Sequence, residues 1–142
     1  PEYHDPAFMK LVEQCCCDLV GADRVVFDYE AWSTGSSDFG DVTCVMPGVQ
    51  FNAMGAVGTG HGIDYYITDP NRLCVNSAKA QLFVADALLS NDGAAAKEII
   101  ANYKPQYGSI KEYLDAINEI ILDKDAVKYD ENGNATVDFQ NV

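Results

Sequence analysis

Residues 76–89 carry apolar side chains on nearly every face: Ala78, Ala80, Leu82, Phe83, Val84, Ala85, Ala87, Leu88 and Leu89. A helix that is apolar all round must be covered by other elements. This stretch therefore predicts a largely buried helix with the rest of the fold wrapped against it. Asn91-Asp92-Gly93 interrupts the pattern. A further helix follows with Ala94, Ala95, Ile99, Ile100 and Tyr103, and Pro105 ends it.

Two more helices are marked by their caps. Asp5 stands where an N-cap belongs and Pro6 at the first helical position. Phe8, Leu11, Val12, Cys15, Cys16, Leu19 and Val20 then recur at helical spacing, and Gly21 supplies a stop. Ser109-Ile-Lys-Glu112 reads as a capping box, opening a helix with Tyr113, Leu114, Ile117, Ile120 and Ile121 on one stripe.

Strands are predicted over Arg24–Tyr29, around Val25, Val26 and Phe27, and over Val49–Ala56, where Val49, Phe51 and Ala53 alternate with polar or small neighbours. Between them, residues 30–41 read as a small polar loop ending in a short helical turn. Asp130-Glu-Asn-Gly-Asn134 between Tyr129 and Thr136-Val137 allows a C-terminal hairpin or a loose tail. The fold class expected is α/β: a small mixed β-sheet flanked by the Pro6–Gly21 helix and the later helices. Residues 1–122 form the body and 123–142 a polar extension.

Charge narrows the partners. Twenty-two acidic against nine basic residues give a net charge of −13. Such a chain is repelled by nucleic acid and by anionic lipid, and no apolar run is long enough to span a membrane. The five cysteines are Cys15, Cys16, Cys17, Cys44 and Cys74. Three in succession cannot build a disulfide framework, and no Cys-x-x-Cys occurs. They are expected to be reduced thiols in a cytoplasmic protein, acting mostly as small apolar fillers. Nothing local suggests the low-pKa exposed thiol that a redox protein needs.

Chemistry concentrates in one stretch. No Lys or Arg lies between Arg24 and Arg72, whereas Asp28, Glu30, Asp38, Asp41, Asp64 and Asp69 do. The same stretch holds His61 within Gly55-Ala-Val-Gly-Thr-Gly-His-Gly62, a segment whose four glycines suit a tight turn. Read as residues alone, the acids are first of all loop acids and a lone histidine is first of all structural. Its place on a loop after a strand raises the case for a site. A catalytic zinc uses about three protein ligands and an open position, which His61, His4 and scattered carboxylates do not supply. There is no H-E-x-x-H, no H-x-D, no Gly-x-Ser-x-Gly and no phosphate-binding loop. Asp130-x-Asn132-x-Asn134 starts like a calcium loop, but Ala135 replaces the turning glycine.

These residues carry a resemblance. Residues 1–21, Gly35-Ser-Ser-Asp-Phe-Gly-Asp41, Met46-Pro-Gly-Val-Gln50, Gly58-Thr-Gly-His61 and the small-residue helix after Cys74 stand in the order found in M20-type metallopeptidases. The branch they resemble is that of the aminobenzoyl-glutamate hydrolase-like amidohydrolases, over roughly residues 1–105. Ser37 stands where that branch has Thr, and the proline often found before the histidine is missing.

In such enzymes the catalytic domain is split by an inserted lid or dimerisation domain, and this chain resembles the segment that returns to complete it. The start at Pro1 rather than Met would then be a cut or processed end. The resemblance implies that His61 is the last metal ligand, holding zinc or manganese. It also implies that Gly35, Ser36, Ser37, Asp38 and Asp41 border the substrate or support the ligands, and that Gly58, Thr59 and Gly60 present the histidine. The implied reaction is hydrolysis of the amide bond of an N-acyl amino acid or small peptide. Metal ions would activate a water, and a glutamate outside this chain would carry the proton. Asp38 or Asp41 is a candidate acceptor for the second ring nitrogen of His61. The implied partners are the N-terminal half of the catalytic domain and a second copy of the full-length enzyme. By itself the chain is then expected to be inactive. The alternative is a self-contained, non-catalytic ligand-binding or interaction module. An incomplete domain should expose an apolar face where the missing part packs; a complete module should not.

Overall fold

The computed structural model describes residues 2–29, 37–121 and 127–137. Helix α1, Pro6–Val20, forms as its caps dictate. The Asp5 carboxylate accepts from the Phe8 amide at 2.8 Å, Pro6 opens the first turn, and the Gly21 amide donates back to the Cys17 carbonyl. Asp5 is itself buried, and its own amide donates to the Gly48 carbonyl at 3.2 Å. The cap thus also ties α1 to the chain that precedes residue 49.

Helix α2, Phe39–Thr43, is the short turn expected at the end of the polar loop. Helix α3, Asn76–Asn102, follows a π-type turn over Asn71–Val75. It is interrupted at Ser90–Gly93, where Asn91, Asp92 and Gly93 adopt left-handed backbone angles, so the Asn-Asp-Gly break is real. Helix α4, Ile110–Ile120, starts at the predicted cap. Ser109 accepts from the Glu112 amide at 3.1 Å, but Glu112 reaches back to the Gly108 amide, one residue earlier than in a reciprocal box.

The core lies between α1 and α3. Val12, Cys15 and Val84 are buried together, and Phe8, Leu11, Cys16, Phe27, Val49, Phe51, Ala87 and Leu88 pack around them. Cys15 is therefore an apolar filler, and burial pushes its thiol and that of Cys16 up from the ordinary value. All five cysteines are free. A second buried point is Thr43. Its hydroxyl donates to the Gly40 carbonyl and accepts from the Tyr3 amide, while its carbonyl accepts from the Tyr103 hydroxyl at 2.7 Å.

Helix 76–89 departs from its expected burial. Ala80 and Val84 are buried, but Leu82 is 69% exposed, Leu89 is 74% exposed and Phe83 is also exposed. Helix α1 covers one stripe of α3, and Leu82, Phe83 and Leu89 remain exposed. The sheet also departs from expectation. Among the described residues there are two separate two-stranded antiparallel ribbons and no mixed sheet. Strand β1, Ala56–Val57, pairs with β2, Tyr66–Ile67. Strand β3, Val127–Tyr129, pairs with β4, Ala135–Val137, realising the C-terminal hairpin. Its turn is held by Asp130, whose carboxylate accepts from the Asn132 and Asn134 amides. Residues 24–29 and 49–55 are not strands: the first begins in a 3-10 turn, Ala22–Arg24, and neither belongs to one of the described ribbons. Alternation makes a segment extended, but a ladder needs a neighbour at strand distance.

Candidate functional site

The glycine segment forms the β1–β2 hairpin with Ala56 opposite Ile67 and Val57 opposite Tyr66. Its loop is tied internally. The Asp64 carboxylate accepts from both the amide and the hydroxyl of Thr59, at 3.1 and 3.2 Å. The Gly62 amide donates to the Thr59 carbonyl at 2.7 Å. Gly58 is required by this turn: its φ is +101°, and a methyl group there would lie 2.2 Å from the Asp64 carbonyl oxygen.

His61 sits at the tip with φ 63°, a left-handed conformation that few non-glycine residues adopt. The side chain is exposed and makes no hydrogen bond or ion pair to the described residues. Gly58, Thr59 and Gly60 lie in the same turn as His61. Asp64, which the sequence placed only among the loop acids, is the residue that pins the turn.

The other candidates lie elsewhere. Asp38 and Asp41 line a shallow cleft of about 410 Å³ with Cys44, Gln106, Tyr107 and Tyr113. The Asp41 carboxylate beside it, by hydrogen bonding and by its charge, pushes the Tyr113 phenol up to about 12. Neither acid is bonded to His61, so the expected support for its second nitrogen is not formed by them. Ser37 accepts from the Phe39 amide at 3.2 Å at the start of α2, and its hydroxyl donates to the Glu2 carboxylate. Gly35 and Ser36 lie outside the described residues.

Glu2 also faces His4, with the ring nitrogen 3.2 Å from the carboxylate. The Ser37 hydroxyl first, and His4 second, hold Glu2 below the usual carboxylate range. This Ser–Glu–His order is not a nucleophilic relay, because the serine proton points at the carboxylate and not at the imidazole. The group lines a larger cleft of about 1230 Å³ that also borders residues 24–29 and 49–54. Sequence spacing gave no sign of it, since Glu2 and Ser37 lie 35 residues apart in the chain and meet only in the folded structure, where Tyr3 bonds to Thr43 and Asp5 to Gly48.

The metal expectation can be weighed on these donors. Among the described residues no group of three His, Cys, Asp or Glu side chains could hold a metal ion. His61 is a single donor, and Asp64 beside it already accepts two hydrogen bonds from Thr59. The described residues therefore do not make a metal centre by themselves. Among them, too, no helix is long and apolar enough to cross a membrane. No family model, no curated protein and no solved structure matches the chain.

Proposed function

We propose that this chain is one part of a metal-dependent amidohydrolase or peptidase of the M20 type, acting on an N-acyl amino acid or small peptide, with His61 as a metal ligand. The observation that supports the reading is the presentation of His61: an exposed imidazole with no hydrogen-bond partner among the described residues, held in a costly backbone conformation by a hairpin whose loop Asp64 and Gly58 specify. One donor is not a site, so the remaining ligands and the proton-transferring glutamate belong to a complementary part of the catalytic domain. The exposed apolar side chains Leu82, Phe83 and Leu89 are what an incomplete domain leaves uncovered. Zinc or manganese would be held jointly. Dimerisation belongs to the assembled enzyme in this reading.

The test begins with the reading frame upstream of Pro1, which should encode a His-x-Asp or Cys-x-His pair and a Glu-Glu pair. The whole product should release amino acid from N-acyl amino acids with added zinc or manganese. His61→Ala should lower both bound metal and hydrolysis about 100-fold or more. A frame without those pairs, or a His61→Ala protein as active as the parent, would remove the reading.

A further inference from the structure

Two stretches of main chain have the form of strands with no strand beside them. Val25 and Phe27 are half-buried while Val26 is 93% exposed. Val49, Phe51 and Ala53 are half-buried while Gln50, Asn52 and Met54 are exposed. Phe27, Val49 and Phe51 pack on the Val12–Cys15–Val84 core, so each stretch is anchored by its inward side chains. Among the described residues no hydrogen bond reaches the main chain of Val26, of Phe27, or of any residue from Val49 to Met54. Both stretches border the same cleft of about 1230 Å³. Rows of unpaired amides and carbonyls beside apolar side chains are the recognition surface for an added strand.

We propose that this cleft accepts an extended strand from a partner polypeptide, which pairs through its main chain with Val49–Met54 and with Val26–Phe27. Charge selects the kind of strand. Among the described residues of the cleft Arg24 and Arg72 offset Glu2 and Asp28, in a chain of net charge −13. A second copy would bring −13 to −13, and repulsion opposes that pairing. The occupant is therefore a neutral to basic strand of another polypeptide whose apolar side chains cover Val26 and Met54. This surface goes beyond the amide-hydrolysis reading and holds whether or not His61 binds metal.

The test is residue-resolved amide hydrogen exchange on the whole chain. The probe is a short acetylated peptide of alternating Thr and Val, closed by a Lys amide. Saturable binding should slow exchange at Val26, Phe27 and amides within Val49–Met54 by about tenfold or more. The same peptide N-methylated along its length should leave exchange unchanged. No saturable protection, or equal protection by the N-methylated peptide, would overturn strand addition. Protection that grows with protein concentration without peptide would overturn the assigned occupant in favour of a second copy.

Discussion

Asp41 of α2 and Tyr113 of α4 line the same cleft, and the Asp41 carboxylate acts on the Tyr113 hydroxyl there. An acid that the sequence offered to a histidine is engaged by a tyrosine instead. The interaction stabilises the protonated phenol, raised from 10.0 to about 12. Above pH 10 the unfolded chain releases this proton before the folded chain does. The stabilisation is therefore complete below pH 10 and is lost as pH rises toward about 12. Ultraviolet titration of the tyrosines should show one late step, and Asp41→Asn should return it toward the ordinary value. An unchanged titration in Asp41→Asn would show that the interaction does not form.

Asp5→Ala should destabilise the protein by about 1 kcal/mol or slightly more, since it removes the side-chain acceptor of the Phe8 amide. Asp5→Asn should recover most of that loss. Urea unfolding of the two variants beside the parent makes the comparison.

Val12 and Leu82 test where the core ends. Val12 is 1% exposed, and Val12→Ala should cost roughly 2 kcal/mol through lost burial and a cavity. Leu82 belongs to the helix that the sequence marks as buried, yet it stands largely in solvent. Leu82→Gln should fall within about 0.5 kcal/mol of the parent. A large loss at Leu82 would mean that this face is covered in solution.

Gly58 and Gly60 are both glycines of the histidine loop, but only Gly58 needs to be one. Gly58→Ala meets the Asp64 carbonyl and a positive φ, whereas a methyl group at Gly60 meets nothing within 4 Å. Gly58→Ala should cost more than about 1 kcal/mol and shift the amide resonances from Thr59 to Asp64. Gly60→Ala should leave them near their parent positions.

Local interactions were legible in the sequence because their partners lie a few residues apart. Asp5 and Phe8, Ser109 and Glu112, and the Asn91-Asp92-Gly93 break needed only caps, periodicity and turn chemistry. The hairpin that carries His61 was legible as a glycine-rich turn. What Asp64 does within it required the loop to close. The Glu2–Ser37–His4 group and the Asp41–Tyr113 interaction were not legible, because each depends on how segments distant in sequence come to rest.

The sequence by itself determined the starts of α1 and α4, the break at Asn91-Asp92-Gly93 and the alternation of residues 49–54. Those outcomes follow from side-chain caps and from alternation along a single segment. Only the tertiary structure decided that Leu82, Phe83 and Leu89 of α3 stay exposed, and that, among the described residues, Val26, Phe27 and residues 49–54 are extended with no hydrogen bond to their main chain. Burial and strand pairing are relations between distant segments. An apolar or alternating pattern states what a segment can bury or pair with, but the neighbour must be present for either to happen.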